Sequence, residues 1–264
     1  MGRAVFLPQN PSLCIMNAGS TFRFWFLAMA ALLAMSSCQS PSTSNAMLNP
    51  TLSDLASALM LDTAEVPASR KTELNALASW TAQCLEEKGS ADLIFICTHN
   101  SRRSHLSQVW AQTAADMLGL DGVRTYSGGT EATACNPRTV EAMKRAGFEV
   151  TTQDTLQGAT NPTYLVQAGS TLKGMPCFSK TYGHEANPQS GFAAVMTCSS
   201  ADRGCPIVYG ADARFAVPYV DPKVSDDTDE EAATYDARLR QIGTEMLYLM
   251  GKLKEGSEGL KKEG

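Results

Sequence analysis

Cys97 closes an unbroken apolar run, Asp92-Leu-Ile-Phe-Ile-Cys97, and Arg103 follows six positions later, with Ser104 after it. Cys-x5-Arg-Ser has the length of a loop that wraps a small tetrahedral oxyanion. The Cys97 sulfur would lie beneath the anion as a nucleophile, and the Arg103 guanidinium would close the far side as a planar fork. Backbone N–H groups of Thr98, His99, Asn100, Ser101 and Arg102 would complete the cradle. Such a cradle also favours a thiolate over a thiol. Ser104 is placed to donate a hydrogen bond to that sulfur. Asn100 suits a left-handed position in the loop. An inert buried cysteine is the competing interpretation of Cys97, but Asn-Ser-Arg-Arg-Ser is poor core material.

Cys97 and Arg103 can meet only if flanking elements hold the loop. Residues 92–97 have the composition of a strand buried on both faces. Beyond the loop, Leu106, Val109, Trp110, Ala114, Met117 and Leu118 recur at helical spacing up to Gly119. A strand–loop–helix unit aims the loop N–H groups and the positive end of the helix dipole at one point. Gly122–Gly129 reads as a second strand and turn. Asn136-Pro137 pairs an N-cap with Pro at N1 and opens a helix ending near Gly147. Phe192–Thr197 reads as a third strand. Tyr235, Leu239, Ile242, Met246 and Leu249 mark a last helix.

Ile96-Cys97-Thr98-His99-Asn100-Ser101-Arg102-Arg103-Ser104 resembles the phosphate loop of low-molecular-weight protein tyrosine phosphatases and thioredoxin-coupled arsenate reductases. Thr98, Asn100 and Ser101 fit the reductase branch best. His99 stands where the family usually has Gly, and Arg102 where it usually has Cys, adding positive charge beside the nucleophile. The stretch from Asn136 to Phe148 is similar to the family's second helix. The resemblance implies an α/β three-layer sandwich with a four-stranded parallel sheet and the flavodoxin-like early strand order. The site then lies at the carboxyl ends of the strands.

Two further segments take their roles from the resemblance. Cys198-Ser-Ser-Ala-Asp-Arg-Gly-Cys205-Pro206 looks like the redox segment of the reductases, which ordinary tyrosine phosphatases lack. A structural disulfide between Cys198 and Cys205 is the alternative, more attractive if the protein is exported. Val217-Pro-Tyr-Val-Asp221-Pro222 resembles the loop that carries the family's general acid, which makes Asp221 the candidate, with a turn or helix-start Asp as the plainer interpretation. One expectation is therefore an arsenate reductase with Cys97 as nucleophile, Cys198 and Cys205 as relay, and a thioredoxin-like reductant. A second is a phosphatase acting on phosphomonoesters, and a third an exported oxyanion-binding protein without turnover. No bound cofactor and no metal are expected, since three His leave little for a histidine-built site.

The catalytic domain is expected over 91–250, with an insertion at 152–190, a loop or hairpin near the site mouth. Residues 251–264 form a polar tail that should fray. Asp226-Asp227 and Asp229-Glu230-Glu231 read as a solvated helix start. Residues 39–90 form a tether and helical extension, with helices expected over 51–60 and Ser69–Lys88. Cys84 and Cys135 read as structural, and Cys177 and His184 have no assigned chemistry.

The first 38 residues hold only Arg3 and Arg23 as charges, leaving 20 basic residues against 27 acidic ones in the rest of the 264-residue chain. That acidic balance argues against a nucleic-acid partner. Phe24–Met35 is an apolar run of 12 residues, too short to span a bilayer, followed by Ser36-Ser37-Cys38. A basic lead, such a run and small residues make a secretory signal, and Cys38 resembles a lipobox cysteine. Export to the periplasmic side with a lipid anchor on Cys38 is expected, a cytoplasmic location otherwise. The mature protein is expected to be a monomer, and translation starts at Met1 or Met16.

Overall fold

The computed structural model describes residues 47–153, 159–205 and 207–263, with side chains to 257. The signal-type segment and Cys38 lie outside the described residues. Helix α1 (Pro50–Asp62) and helix α2 (Ala68–Lys88) form the expected extension. Gly89 ends α2 in a left-handed conformation, φ 70°, and donates its N–H to Leu85 O. Strand β1 (Ala91–Cys97), helix α3 (Arg103–Met117), strand β2 (Val123–Gly129) and helix α4 (Pro137–Arg145) follow. Asn136 caps α4 by accepting from Arg138 N at 2.9 Å, with Pro137 at the first helical position.

Short strands β3 (Glu149–Thr152), β4 (Tyr164–Gln167) and β5 (Met175–Cys177) make an antiparallel sheet in that order. The inserted stretch thus contains the expected hairpin, β4–β5, to which β3 adds a third strand. Strand β6 (Phe192–Met196), the six-residue helix α5 (Ser199–Gly204), strand β7 (Ala211–Ala216), a 3₁₀ turn at Pro222–Ser225 and helix α6 (Glu231–Glu263) complete the chain. The polar tail does not fray at Gly251, since α6 runs through it. Leu253 is buried there, and Lys252 pairs with Glu255 one turn on at 2.6 Å.

Four parallel strands make the main sheet in the order β2-β1-β6-β7, the arrangement the resemblance implied. β1 is buried on both faces. Leu93 and Phe95 join a cluster with Trp110 of α3, Leu74 and Leu77 of α2, and Tyr235, Ile242 and Met246 of α6. Ile94, Ile96 and Cys97 face the other way, toward Met196, Cys198, Ala201 and Val208. The first face lies under helices, while the second is covered by α5 and loops. Loop residues Tyr182, Pro188, Gln189 and Tyr209 leave a cleft of about 450 Å³ on that second side. The carboxyl ends of β1, β2 and β6 converge at one edge, where the loop after Cys97 begins.

Candidate active site

Cys97 ends β1 and is almost fully buried. Its Sγ lies 3.1 Å from Ser104 Oγ, which α3 supplies from its first turn. Asn100 orients the Ser104 hydroxyl. Its backbone is left-handed, φ 45°, as expected. Its Oδ1 accepts from Lys180 N at 3.0 Å, so its Nδ2 faces Ser104 Oγ and donates at 2.9 Å. With that lone pair occupied, the Ser104 hydroxyl proton is free to point at the Cys97 sulfur.

No protein acceptor among the described residues takes the backbone N–H of His99, Asn100, Ser101 or Arg102. Carbonyls of the same loop are engaged. Thr98 O accepts from Glu131 N at 3.0 Å, His99 O from Ser179 Oγ at 2.7 Å, and Ser101 O from Asn136 N at 3.0 Å. With its carbonyls tied outward and its N–H groups unclaimed, the loop forms a donor nest at the end of α3, suited to an anion. His99 itself points outward, its ring Nε2 3.0 Å from Glu131 Oε1 and half exposed. Gly129, at the end of β2, lies against this loop so closely that a Cβ there would sit 2.7 Å from Thr98 O and 2.9 Å from Asn100 N.

The two arginines diverge. Arg103 donates from Nη1 to Tyr219 O at 3.0 Å and from Nη2 to Asp221 Oδ2 at 2.5 Å, leaving Nε a buried donor without a partner among the described residues. Arg102 instead sends its guanidinium to Tyr235 OH, 2.7 Å, and Asp226 Oδ2, 3.2 Å. Asp226 therefore differs from the solvated helix start read in the sequence. Its side chain is only 14% exposed and meets Arg102, Arg138 and the Tyr235 hydroxyl. Asp227 and Glu231 match the solvated interpretation better, although both pair with Arg138 at 2.6 Å.

Asp221 follows β7 and caps the 3₁₀ turn, accepting from Lys223 N at 3.1 Å. It pairs with Arg103, the chain neighbour of Ser104, so β1, α3 and the segment after β7 link Cys97, Ser104, Arg103 and Asp221 through successive contacts. The segment before Asp221 is gripped from α2. Arg70 Nη2 donates to Pro218 O at 2.6 Å, and its guanidinium lies 5.3 Å from the Tyr219 ring centre and 3.3 Å from the buried Glu245. Arg70 and Glu245 escaped the sequence analysis, and Tyr219 and Tyr235 entered it only as parts of a loop motif and of a helical apolar pattern.

Cys198 and Cys205 are both free thiols. Cys198 is buried at the N-cap of α5, its Sγ accepting from Ala201 N at 3.3 Å and lying 3.5 Å from Thr98 Oγ1. Cys205 ends the same helix and is partly exposed. The other thiols are unlike these. Burial pushes Cys135 well above its ordinary value and Cys177 up to about 12, and it also raises Cys84. His105, just inside α3, is fully buried against Ser127 Oγ at 3.1 Å. Burial, and then the Lys180 charge, push it down to about 3, so it stays neutral. His184 packs edge-on against Phe178. No group of His, Cys, Asp and Glu among the described residues is arranged to hold a metal ion.

Residues 92–162 match the low molecular weight phosphotyrosine protein phosphatase family. An arsenate reductase of Staphylococcus epidermidis is 32% identical over 116 residues, covering 44% of this chain and 66% of that protein. An arsenate reductase of Bacillus subtilis is 41% identical over 61 residues, covering 23% of this chain and 41% of its own length. The chain thus spans just under two thirds of the first relative and less than half of the second. Among solved structures, a low molecular weight protein tyrosine phosphatase from T. tengcongensis superposes with a TM-score of 0.42 at 17% identity, covering 63% of this chain and 99% of that one.

Proposed function

We propose that the chain is a cysteine-dependent oxyanion enzyme and, of the two activities in view, an arsenate reductase. The observation that carries the choice is Cys198. It is a buried thiol within 3.5 Å of Thr98, the residue after Cys97, and a second, partly exposed thiol stands at the far end of α5.

In this reading arsenate sits in the nest of N–H groups and under the Arg103 fork. The Cys97 thiolate attacks arsenic, and one oxygen leaves as water after Asp221 gives it a proton. Cys198 then attacks the Cys97 sulfur. The S–As bond breaks, its electron pair stays on arsenic, arsenite departs, and Cys97–Cys198 is left as a disulfide. Cys205 attacks Cys198, freeing Cys97, and a thioredoxin-like dithiol reduces the Cys198–Cys205 disulfide. Seven residues along a helix span about 10 Å, beyond the ~7 Å that a disulfide tolerates between Cα atoms, so α5 must unwind for that bond to form. Export and a lipid anchor on Cys38 remain part of the proposal, and they would require a thiol reductant on the same side of the membrane.

The phosphatase match over residues 92–162 favours a second reading, hydrolysis of a phosphomonoester. Water, activated by Asp221, would cleave a Cys97 phosphoenzyme, and Cys198 and Cys205 would be structural. Cys198→Ser separates the two when assayed with arsenate plus a thioredoxin system and with an aryl phosphate. The reductase reading expects arsenate turnover to vanish while ester hydrolysis, if present, survives. Unchanged arsenate turnover in the variant would end it, and a wild type inert toward both substrates would favour a protein that only binds oxyanions.

A further inference from the structure

Arg102 was expected to act through its charge on the nucleophile, yet its guanidinium is spent elsewhere. Nε donates to Tyr235 OH at 2.7 Å and Nη2 to Asp226 Oδ2 at 3.2 Å, and the side chain is 12% exposed. Tyr235 in turn donates to the other Asp226 oxygen at 2.8 Å, so both oxygens of that carboxylate are held. Asp221 and Asp226 bracket the 3₁₀ turn Pro222–Ser225. The same Arg102 Nε lies 3.9 Å from Asp221 Oδ1, an ionic approach and not a hydrogen bond. One arginine of the anion loop therefore reaches both ends of the turn that carries the candidate acid.

Arg103 has a conflict that Arg102 does not. Its Nη2 is bonded to Asp221 Oδ2, while the oxyanion reading needs the same fork for substrate. Once an anion draws Arg103 away, Asp221 needs another hold if it is to stay at the mouth of the loop. The Arg102–Asp226–Tyr235 cluster supplies one that does not involve the anion.

We propose that Arg102 is a positioning residue for Asp221, fixing the Pro222–Ser225 turn through Asp226 so that the acid stays aimed at the anion site. The inference rests on the oxyanion-enzyme reading above and holds for either substrate, because both need Asp221 to give a proton to the leaving oxygen. An error of about 1 Å in placing a reacting group can cost up to roughly 10²-fold in rate. Arg102→Met should then lower kcat by about tenfold or more with little change in KM.

The test is a double-mutant cycle of Arg102→Met with Asp221→Asn, measured with arsenate plus a thioredoxin system and with an aryl phosphate. If Arg102 acts through Asp221, adding Arg102→Met to Asp221→Asn costs less than about twofold, and Arg102→Met distorts the pH profile as Asp221→Asn does. Tyr235→Phe, which removes one contact of the cluster and keeps the ring in the core, should shift kcat in the same direction by less. It serves if Arg102→Met does not fold. Fully additive costs, or a raised KM with kcat intact, would overturn the inference and make Arg102 an anion ligand or a structural residue. A wild type that turns over neither substrate would overturn the oxyanion-enzyme reading and this inference together.

Discussion

Replacing Asn100 by alanine should cost about 3–5 kcal/mol of stability, and the sum follows from three features of one residue. First, alanine must hold a left-handed backbone at φ 45°, worth about 1 kcal/mol against residues free to adopt it. Second, Lys180 N loses its acceptor Oδ1 in a fully buried setting, and an unmet buried donor costs about 1–3 kcal/mol. Third, Ser104 loses the Nδ2 donor that orients its hydroxyl, a net of about 1 kcal/mol. Asn100→Gly keeps the last two losses and removes most of the first, so after its own unfolded-chain entropy of about 0.5–1 kcal/mol it should be milder by at most about 0.5 kcal/mol. Urea unfolding at neutral pH reads the two values. Alkylation of Cys97 in the folded protein reads the functional side, since an unoriented Ser104 stabilises the thiolate less in both variants. An alanine loss of no more than about 2 kcal/mol, the sum of the first and third contributions, would refute the accounting of the Lys180 contact. A glycine variant less stable than the alanine variant by the full ~0.5–1 kcal/mol of that entropy would refute the claim that the left-handed backbone carries a cost.

Two other outcomes follow from the same geometry. His105 is held down to about 3 against an ordinary 6.5, so between those values the unfolded chain takes up a proton that the folded chain refuses. Its contribution is therefore fully present above about pH 6.5 and is lost as pH falls toward 3, on the order of 2 kcal/mol by pH 5; urea midpoints across pH 5–7.5 should rise with pH, and His105→Gln should flatten that slope. Gly129→Ala brings a Cβ to 2.7 Å from Thr98 O and 2.9 Å from Asn100 N, both backbone atoms of the anion loop. It should destabilise by about 1–3 kcal/mol and slow turnover, visible as a lowered Tm together with a lower kcat; an unchanged kcat in a folded variant would mean that the loop moves aside without consequence.

How far the chain could be read in advance depended on how local the signal was. β1, the loop and α3 were legible because the cue is contiguous: an apolar run, a Cys-x5-Arg-Ser loop, then helical spacing. Asn136-Pro137 announced α4 for the same reason. The three-stranded sheet was only half visible, because β3, Glu149–Thr152, is short, mostly exposed and shows no clean alternation. The end of α6 was misjudged because its polar composition hid the packing of Leu253. The direction of a long side chain is less local still. Arg102 and Arg103 are adjacent and identical, and only partners more than 100 positions away, Tyr235 and Asp226 for one and Tyr219 and Asp221 for the other, decide where each points. The grip of Arg70 on Pro218 spans 148 positions and has no sequence cue at all.

The unequal cover of the main sheet has a consequence for how opening is distributed over the molecule. The face bearing Leu93 and Phe95 is packed by long helices that share one core, and to expose it is to unfold most of the chain. The face bearing Ile94 and Ile96 is covered by a helix of six residues with one buried side chain besides its capping cysteine, Ala201, and by the Arg214 contacts to Asp202 at 2.6 Å. Sub-global opening should therefore be confined to that side, with amide protons of α5 exchanging at a small fraction of the global unfolding free energy while β1 and β6 stay protected. The two thiols at the ends of α5 thus sit on a part of the structure that is cheap to rearrange, and Cys97 sits at the end of a strand that is among the most costly.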